Sequence, residues 1–96
     1  MSNYKIVRSY SAGVFAGEIE SRSDDGRRVV MRNARRLWYW KGAASLSQLA
    51  MEGVKFPNEC KFPCEVDRVE VLEVIEVLDV TDLAKQSIAA VPVWKM

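Results

Sequence analysis

The order of hydrophobic and polar residues near the N-terminus predicts a β-hairpin. Lys5 to Tyr10 and Val14 to Glu20 are rich in the β-branched and aromatic residues that strands favour. Between them, Ser11-Ala12-Gly13 has the small residues of a tight connection. We therefore expect two antiparallel strands joined by a short turn.

The next segment predicts that this sheet continues as a meander. Ser23-Asp24-Asp25-Gly26 carries the Asp-Gly pair that is typical of a hairpin turn. Val29 to Met31 and Leu37 to Trp40 follow it, and both are strongly β-favouring. We expect both segments to belong to the sheet.

Two short helices are predicted from capping signals. Ser45 and Gln48 form a capping box, in which the Ser45 hydroxyl accepts from the Gln48 amide and the Gln48 side chain reaches back to the Ser45 amide. Gly53 is a suitable left-handed terminator, so this helix has about two turns. Thr81-Asp82 predicts a second helix that ends near Ala89.

Residues 66 to 80 combine seven Val or Ile residues with an acid at every third position. That period fits neither a helix nor a strand, but the β-branched residues favour a strand. Both faces of such a strand are partly apolar. This pattern predicts burial on two sides, with either a bulge near Leu72-Glu73 or a second subunit over the outer face.

Together these elements predict one domain over residues 1 to 96 with an α+β fold, mostly antiparallel β-sheet in a meander with one or two short helices. A chain of this length builds only a modest core, which predicts a homo-oligomer. No apolar run approaches the ~20 residues of a membrane span, and the N-terminus lacks the apolar region of a signal peptide. We expect no membrane partner and a cytoplasmic location.

Charge is unevenly distributed along the chain, although the net charge is only +1. Residues 1 to 41 hold nine bases and four acids, whereas residues 42 to 96 hold five bases and nine acids. A basic half can attract phosphate-bearing partners, but the acidic half can also neutralise it within the fold. We expect internal neutralisation, which argues against a nucleic-acid partner.

Several classes of catalytic and metal chemistry have no residues to support them. The chain has no histidine, which excludes Ser-His and Cys-His nucleophilic pairs and imidazole metal ligands. Cys60 and Cys64 are too few for a structural zinc site, so we expect two unpaired thiols and no metal or cofactor. A strand would scatter the regular carboxylates over two faces. We therefore expect a protein that binds and does not catalyse.

Candidate ligand-binding residues occupy the centre of the chain, where two arginines run into three aromatics and a helix start. They are Arg35, Arg36, Trp38, Tyr39, Trp40 and Ser45. Guanidinium groups pair with phosphate, aromatic faces stack on bases, and amides at a helix start attract anions. The alternative is an ordinary core strand, in which Trp38 and Trp40 pack inward and Tyr39 points outward.

Four blocks of the chain carry a resemblance to a known group. Tyr10 to Gly17, Asn33 to Trp40, Gly42 to Ala50 and Pro92 to Trp94 are similar to blocks in a family of short proteins of unknown function from tailed bacteriophages and prophages. This resemblance implies a viral accessory protein that acts in the cytoplasm of the infected bacterial host. It assigns no functional residue.

Two main classes of function remain open at this point, and weak nucleic-acid binding through the basic half is a third possibility. The first is a phage-encoded accessory protein that counters host antiviral defence by sequestering a nucleotide-type small molecule. The second is a protein-protein inhibitor of a host defence complex, or a small virion or assembly component. In the inhibitor, the acidic strand with Glu70, Glu73 and Glu76 would bind the partner.

Overall fold

Residues 3 to 96, which the computed structural model describes, form a five-stranded antiparallel sheet with two α-helices and one short 3-10 helix. The strands are β1 (Tyr4–Ser9), β2 (Gly13–Arg22), β3 (Val29–Arg36), β4 (Glu65–Val71) and β5 (Val74–Asp79). The helices are α1 (Leu46–Glu52) and α2 (Asp82–Ala90), and the 3-10 helix is Pro57–Glu59. The predicted α+β class and the predicted hairpins are confirmed.

The strand order is β4-β3-β2-β1-β5, so the first four strands form the predicted meander and β5 departs from it. Only Leu72 and Glu73 separate β4 from β5, yet these strands occupy opposite edges of the sheet. The sheet must therefore curl until its edges meet. The prediction of one long strand over residues 66 to 80 is wrong, because Glu73 has φ of 56° and redirects the chain between the two edges; only the position of the irregularity near Leu72-Glu73 agrees with the prediction. The predicted burial on two sides is also wrong within one chain, since Val66 is 50% exposed and Ile75 is 54% exposed.

A bulge in β3 decides which way the two central arginines point. Glu18 pairs with Arg32 and Ala16 pairs with Arg35, so two residues of β3, Asn33 and Ala34, lie opposite the single residue Gly17. Asn33 lies in this bulge and adopts a positive φ of 50°. The bulge presses against β2 at Gly17, where a Cβ atom would lie 2.7 Å from Ala34 Cα.

Alternation along the strands builds a core on each face of the curled sheet. On β1, Ile6 joins one cluster and Val7 joins the other. The inner cluster lies on the concave face and consists of Val7, Phe15, Val29, Met31, Ala34, Val71 and Val74. The helix-side cluster includes Ile6, Leu37, Leu49, Phe62 and Ile88, so α1 and α2 cover the other face.

Both helix caps form, with one difference from the prediction. The Ser45 hydroxyl accepts from the Gln48 amide at 3.1 Å, and the Thr81 hydroxyl accepts from the Ala84 amide at 3.0 Å. The Gln48 side chain, however, accepts from the amide of Ala44 instead of Ser45. The extended backbone of Ser45 brings the preceding amide within reach.

The prediction that Leu37 to Trp40 continue the sheet is wrong for most of this segment. β3 ends at Arg36, and of the four residues only Tyr39 is bridged, to Lys61. This bridge keeps the register of β3 and β4, in which Arg35 pairs with Glu65. Between these two pairs the ladder of backbone hydrogen bonds is interrupted opposite Pro63, because proline has no amide hydrogen to donate.

Acidic and basic residues pair across neighbouring strands, as expected from the split in charge along the chain. Lys5 bonds to Asp79 at 2.6 Å, Arg8 to Glu76 at 2.8 Å and Arg28 to Glu70 at 2.8 Å. The carboxylates of β4 and β5 thus neutralise cations from the first half of the chain. No helix among residues 3 to 96 is long and apolar enough to cross a membrane.

Candidate functional site

Arg35 is buried, and its guanidinium donates four hydrogen bonds to backbone carbonyls. It donates to the carbonyl oxygens of Pro63 at 2.9 Å, Ile88 at 2.8 Å, Phe62 at 3.0 Å and Val91 at 2.7 Å. Burial lowers the pKa of this group, but a guanidinium stays charged in any folded protein. Arg35 therefore ties the loop after Cys60 to the end of α2, and a phosphate cannot use the donors that these carbonyls occupy.

Arg36 faces the opposite way, toward the concave side of the sheet. Its guanidinium carbon lies 4.6 Å from the centroid of the Phe15 ring. Together with Phe15, Cys64 and Val66, Arg36 lines a small cavity of about 190 Å³ at the mouth of the inner cluster. Arg36 is exposed and forms no ion pair within residues 3 to 96.

Tyr39 belongs to an exposed aromatic surface that it shares with Lys61 and Trp94. The Lys61 ammonium lies 5.7 Å from the Tyr39 ring centroid and 5.6 Å from the Trp94 ring centroid. Tyr39 is 47% exposed and Trp94 is 46% exposed, so both rings keep accessible area. We call these three residues the aromatic surface. Among residues 3 to 96, no carboxylate forms an ion pair with Lys61.

A short ladder holds the aromatic surface in place. The Tyr39 amide donates to the Lys61 carbonyl at 3.3 Å, and the Lys61 amide donates to the Tyr39 carbonyl at 2.7 Å. The Trp94 amide donates to the carbonyl of Phe62, which also accepts from Arg35. Phe62 is fully buried beneath this ladder. Arg35 thus stabilises the backbone that carries the aromatic surface, although its own side chain is not part of that surface.

The two tryptophans of the central segment separate. Trp38 is 65% exposed and Trp40 is partly buried against the helix-side cluster, which contains Leu49. The alternative that both pack inward is therefore wrong for Trp38. Because β3 ends at Arg36, regular strand alternation no longer governs residues 37 to 40.

Ser45 lies at the start of α1, where the local polar groups satisfy one another. Its hydroxyl accepts from Gln48, and the Gln48 side chain occupies the Ala44 amide. With seven residues, α1 is also too short to present a strong dipole. We therefore leave Ser45 out of the candidate site.

The acidic residues predicted to bind a partner already have neighbours in the fold. Glu70 pairs with Arg28, Glu76 pairs with Arg8, and the Glu73 carboxylate accepts from the Ser11 hydroxyl. Glu70 on β4 and Glu76 on β5 are therefore neutralised within the fold and lie on strands at opposite edges of the sheet. Within residues 3 to 96, no group of three or more acids or cysteines is arranged to hold a metal ion. Cys60 is buried, Cys64 is exposed, and both are unpaired.

Sequence reasoning missed Lys61 and Trp94 as candidate site residues. They lie far from Tyr39 along the chain and come close only because the chain returns beside the end of β3. Only composition could have indicated them, because Lys61 is a cation and Trp94 is a large aromatic residue in segments that otherwise have the composition of loops. The site brings Tyr39 together with two residues from other segments, while Arg36 lines a separate cavity that shares Pro63 with the cavity beside Trp94.

A cation beside exposed aromatic rings is suited to a ligand that combines a flat ring with negative charge. The rings offer stacking surface and Lys61 offers an unneutralised ammonium. A family model described as a domain of unknown function (DUF6948) matches residues 2–88. The chain therefore belongs to this family. No curated protein and no solved structure shows a significant match.

Proposed function

We propose that this member of the DUF6948 family binds a nucleotide-type small molecule on the aromatic surface without transforming it. The observation that carries the proposal is the unneutralised Lys61 ammonium, within 6 Å of the centroids of two exposed rings. A base stacked on Tyr39 or Trp94 would gain about 1–3 kcal/mol by measurements on other proteins. The phosphate would then reach the Lys61 ammonium as a point charge.

Charge favours a small ligand over a polymer. The chain has a net charge of +1, and four of the nine cations of its basic half pair with carboxylates of β2, β4 and β5. A long nucleic acid is bound mainly by many phosphate contacts, which this surface does not offer. One ammonium is suited to one or two phosphates and not to the many phosphates of a polymer.

The proposal is tested by titrating the purified protein with mononucleotides, linear dinucleotides and cyclic dinucleotides. Binding is followed by tryptophan fluorescence and by calorimetry. We expect Lys61→Gln to weaken binding at least about tenfold, since a lost charge-assisted contact is worth about 1.5–3 kcal/mol. Tyr39→Ala should weaken it by a comparable factor through lost stacking.

Lys55→Gln is the matched control, because Lys55 is an exposed lysine outside the aromatic surface. It removes the same charge and should leave affinity within about twofold, which is the scale of distant surface charges. Equal weakening by Lys55→Gln and Lys61→Gln would indicate nonspecific attraction. No binding by any nucleotide class in the panel would reject the proposal.

The finer proposal is that the protein serves a bacteriophage by sequestering a nucleotide signal of host defence in the infected cell. Its support is the resemblance carried by the Asn33 to Trp40 and Gly42 to Ala50 blocks. In a bacterium with a nucleotide-signalled defence, expression of the wild-type chain should restore phage plaques. Lys61→Gln should abolish that effect and Lys55→Gln should preserve it. If Lys61→Gln still restores plaques, the effect does not depend on the aromatic surface.

A further inference from the structure

The kink between β4 and β5 creates a second exposed surface that shares no residue with the aromatic surface. Tyr10, Arg27, Glu73, Val74 and Ile75 line a groove there of about 290 Å³. We call these five residues the kink groove. Tyr10 is 80% exposed and Ile75 is 54% exposed, and Leu72 beside them is also 54% exposed. Exposed apolar side chains that are grouped together are typical of interaction sites.

Backbone hydrogen bonds fix the kink groove. The Tyr10 amide donates to the Glu73 carbonyl at 2.9 Å, and the Val74 amide donates to the Arg27 carbonyl at 2.9 Å. The Ser9 hydroxyl donates to the Leu72 carbonyl at 2.6 Å. Three separate segments are therefore locked together, and the exposed side chains project from a fixed base. Such a base lowers the ordering cost of binding.

The kink groove carries one positive and one negative charge, and the Glu73 carboxylate accepts only from the neutral Ser11 hydroxyl. Arg27 and Glu73 line the same groove, yet neither forms an ion pair within residues 3 to 96. A strongly acidic or strongly basic partner would satisfy one of them and repel the other. A partner that carries the same two charges in reversed order satisfies both.

We propose that the kink groove binds a second copy of this chain in a two-fold symmetric dimer. In a two-fold contact the same patch serves both copies. Arg27 of each copy then meets Glu73 of the other, and the projecting Tyr10 ring of each copy enters the groove of its partner. The contact also covers Ile75 and Leu72.

The test begins with sedimentation velocity of the full-length wild-type chain across micromolar concentrations, where we expect a dimer. Arg27→Glu and Glu73→Arg should each weaken the dimer at least about 100-fold, because each places like charges in both symmetric contacts. Circular dichroism and thermal unfolding check that each variant is folded. Tyr10→Ser, which changes no charge, should also weaken the dimer.

Mixing the two charge variants provides the decisive measurement. When the Arg27→Glu chain meets the Glu73→Arg chain, opposite charges face each other at both contacts, so the equimolar mixture should form a heterodimer. A wild-type chain that stays monomeric overturns the proposal. A dimer that the variants leave intact, or folded variants whose mixture stays monomeric, overturns it as well. None of these outcomes depends on nucleotide binding.

Discussion

Arg35 and Trp94 donate hydrogen bonds to the same carbonyl oxygen, that of Phe62, each at 3.0 Å. One donor comes from a buried side chain of β3 and the other from the backbone of the C-terminal segment. The shared acceptor joins the end of the sheet to one ring of the aromatic surface. Packing of the fold and placement of the candidate site are therefore linked at Phe62.

Replacing Arg35 should destabilise the fold far more than replacing its neighbour. Arg35→Gln leaves four carbonyls without their guanidinium partner, and we expect the free energy of unfolding to fall by at least about 3 kcal/mol. Arg36→Gln removes a half-exposed contact with Phe15 and should cost about 1 kcal/mol or less. Urea unfolding of both variants measures the difference. Equal losses would contradict the division of roles between the two arginines.

The three central aromatics should also differ in what they contribute to stability. Trp40 packs partly into the helix-side cluster, so Trp40→Ala should cost about 2 kcal/mol or more. Trp38 and Tyr39 are exposed, and their alanine variants should change stability by about 1 kcal/mol or less. Thermal unfolding of the three variants tests this order. If the Trp38→Ala protein is unfolded, Trp38 contributes to the core and its assignment as an exposed residue is wrong.

Local signals in the sequence predicted the hairpins, the two capped helices and the position of an irregularity at Leu72-Glu73, because each depends on neighbouring residues, but they did not predict that β4 and β5 are separate strands. The directions of Arg35 and Arg36 could not be predicted in this way. They depend on the Asn33 bulge, which forms against Gly17 on another strand. Placement of β5 also depends on curling of the whole sheet. The directions of the two arginines and the position of β5 therefore both depend on contacts between residues that lie far apart in the sequence.

The candidate site was predictable only in part for the same reason. Tyr39 and Arg36 stand out in a run of cations and aromatics, and both remain exposed. Lys61 and Trp94 come close to Tyr39 through isolated backbone bridges. The sequence pattern of a regular strand does not predict these bridges, because Pro63 interrupts the pairing. A candidate surface made from three separate segments requires the tertiary structure.

Gly17 should tolerate no side chain, because the β3 bulge approaches it closely. An added Cβ atom would lie 2.7 Å from Ala34 Cα and 3.0 Å from the Arg32 carbonyl oxygen. Since these are mainly backbone atoms, Gly17→Ala should cost about 1–3 kcal/mol through overpacking. Gly13→Ala is the comparison, because no atom lies within 4 Å of that Cβ position and only its φ of 92° opposes the change. A neutral Gly17→Ala variant in urea unfolding would show that the bulge can move.

Tyr4 should make the fold sensitive to alkaline pH. Burial, followed by the nearby Glu65 carboxylate, raises the pKa of Tyr4 from 10.0 to about 12. A phenol whose pKa is higher in the folded state contributes stability that is complete below the unfolded pKa. That contribution disappears as the pH rises from about 10 to about 12, because the unfolded chain releases the proton first.

The free energy of unfolding should therefore fall with increasing pH over this range, and Tyr4→Phe should make the fall shallower by removing the ionisable group. Tyr10→Phe is the matched control, since it removes one hydroxyl from a residue that is 80% exposed. Urea unfolding of the three proteins at successive pH values gives the slopes. If Tyr4→Phe follows the wild-type slope while Tyr10→Phe flattens it, the alkaline sensitivity belongs to the surface tyrosine and the assignment to Tyr4 is wrong.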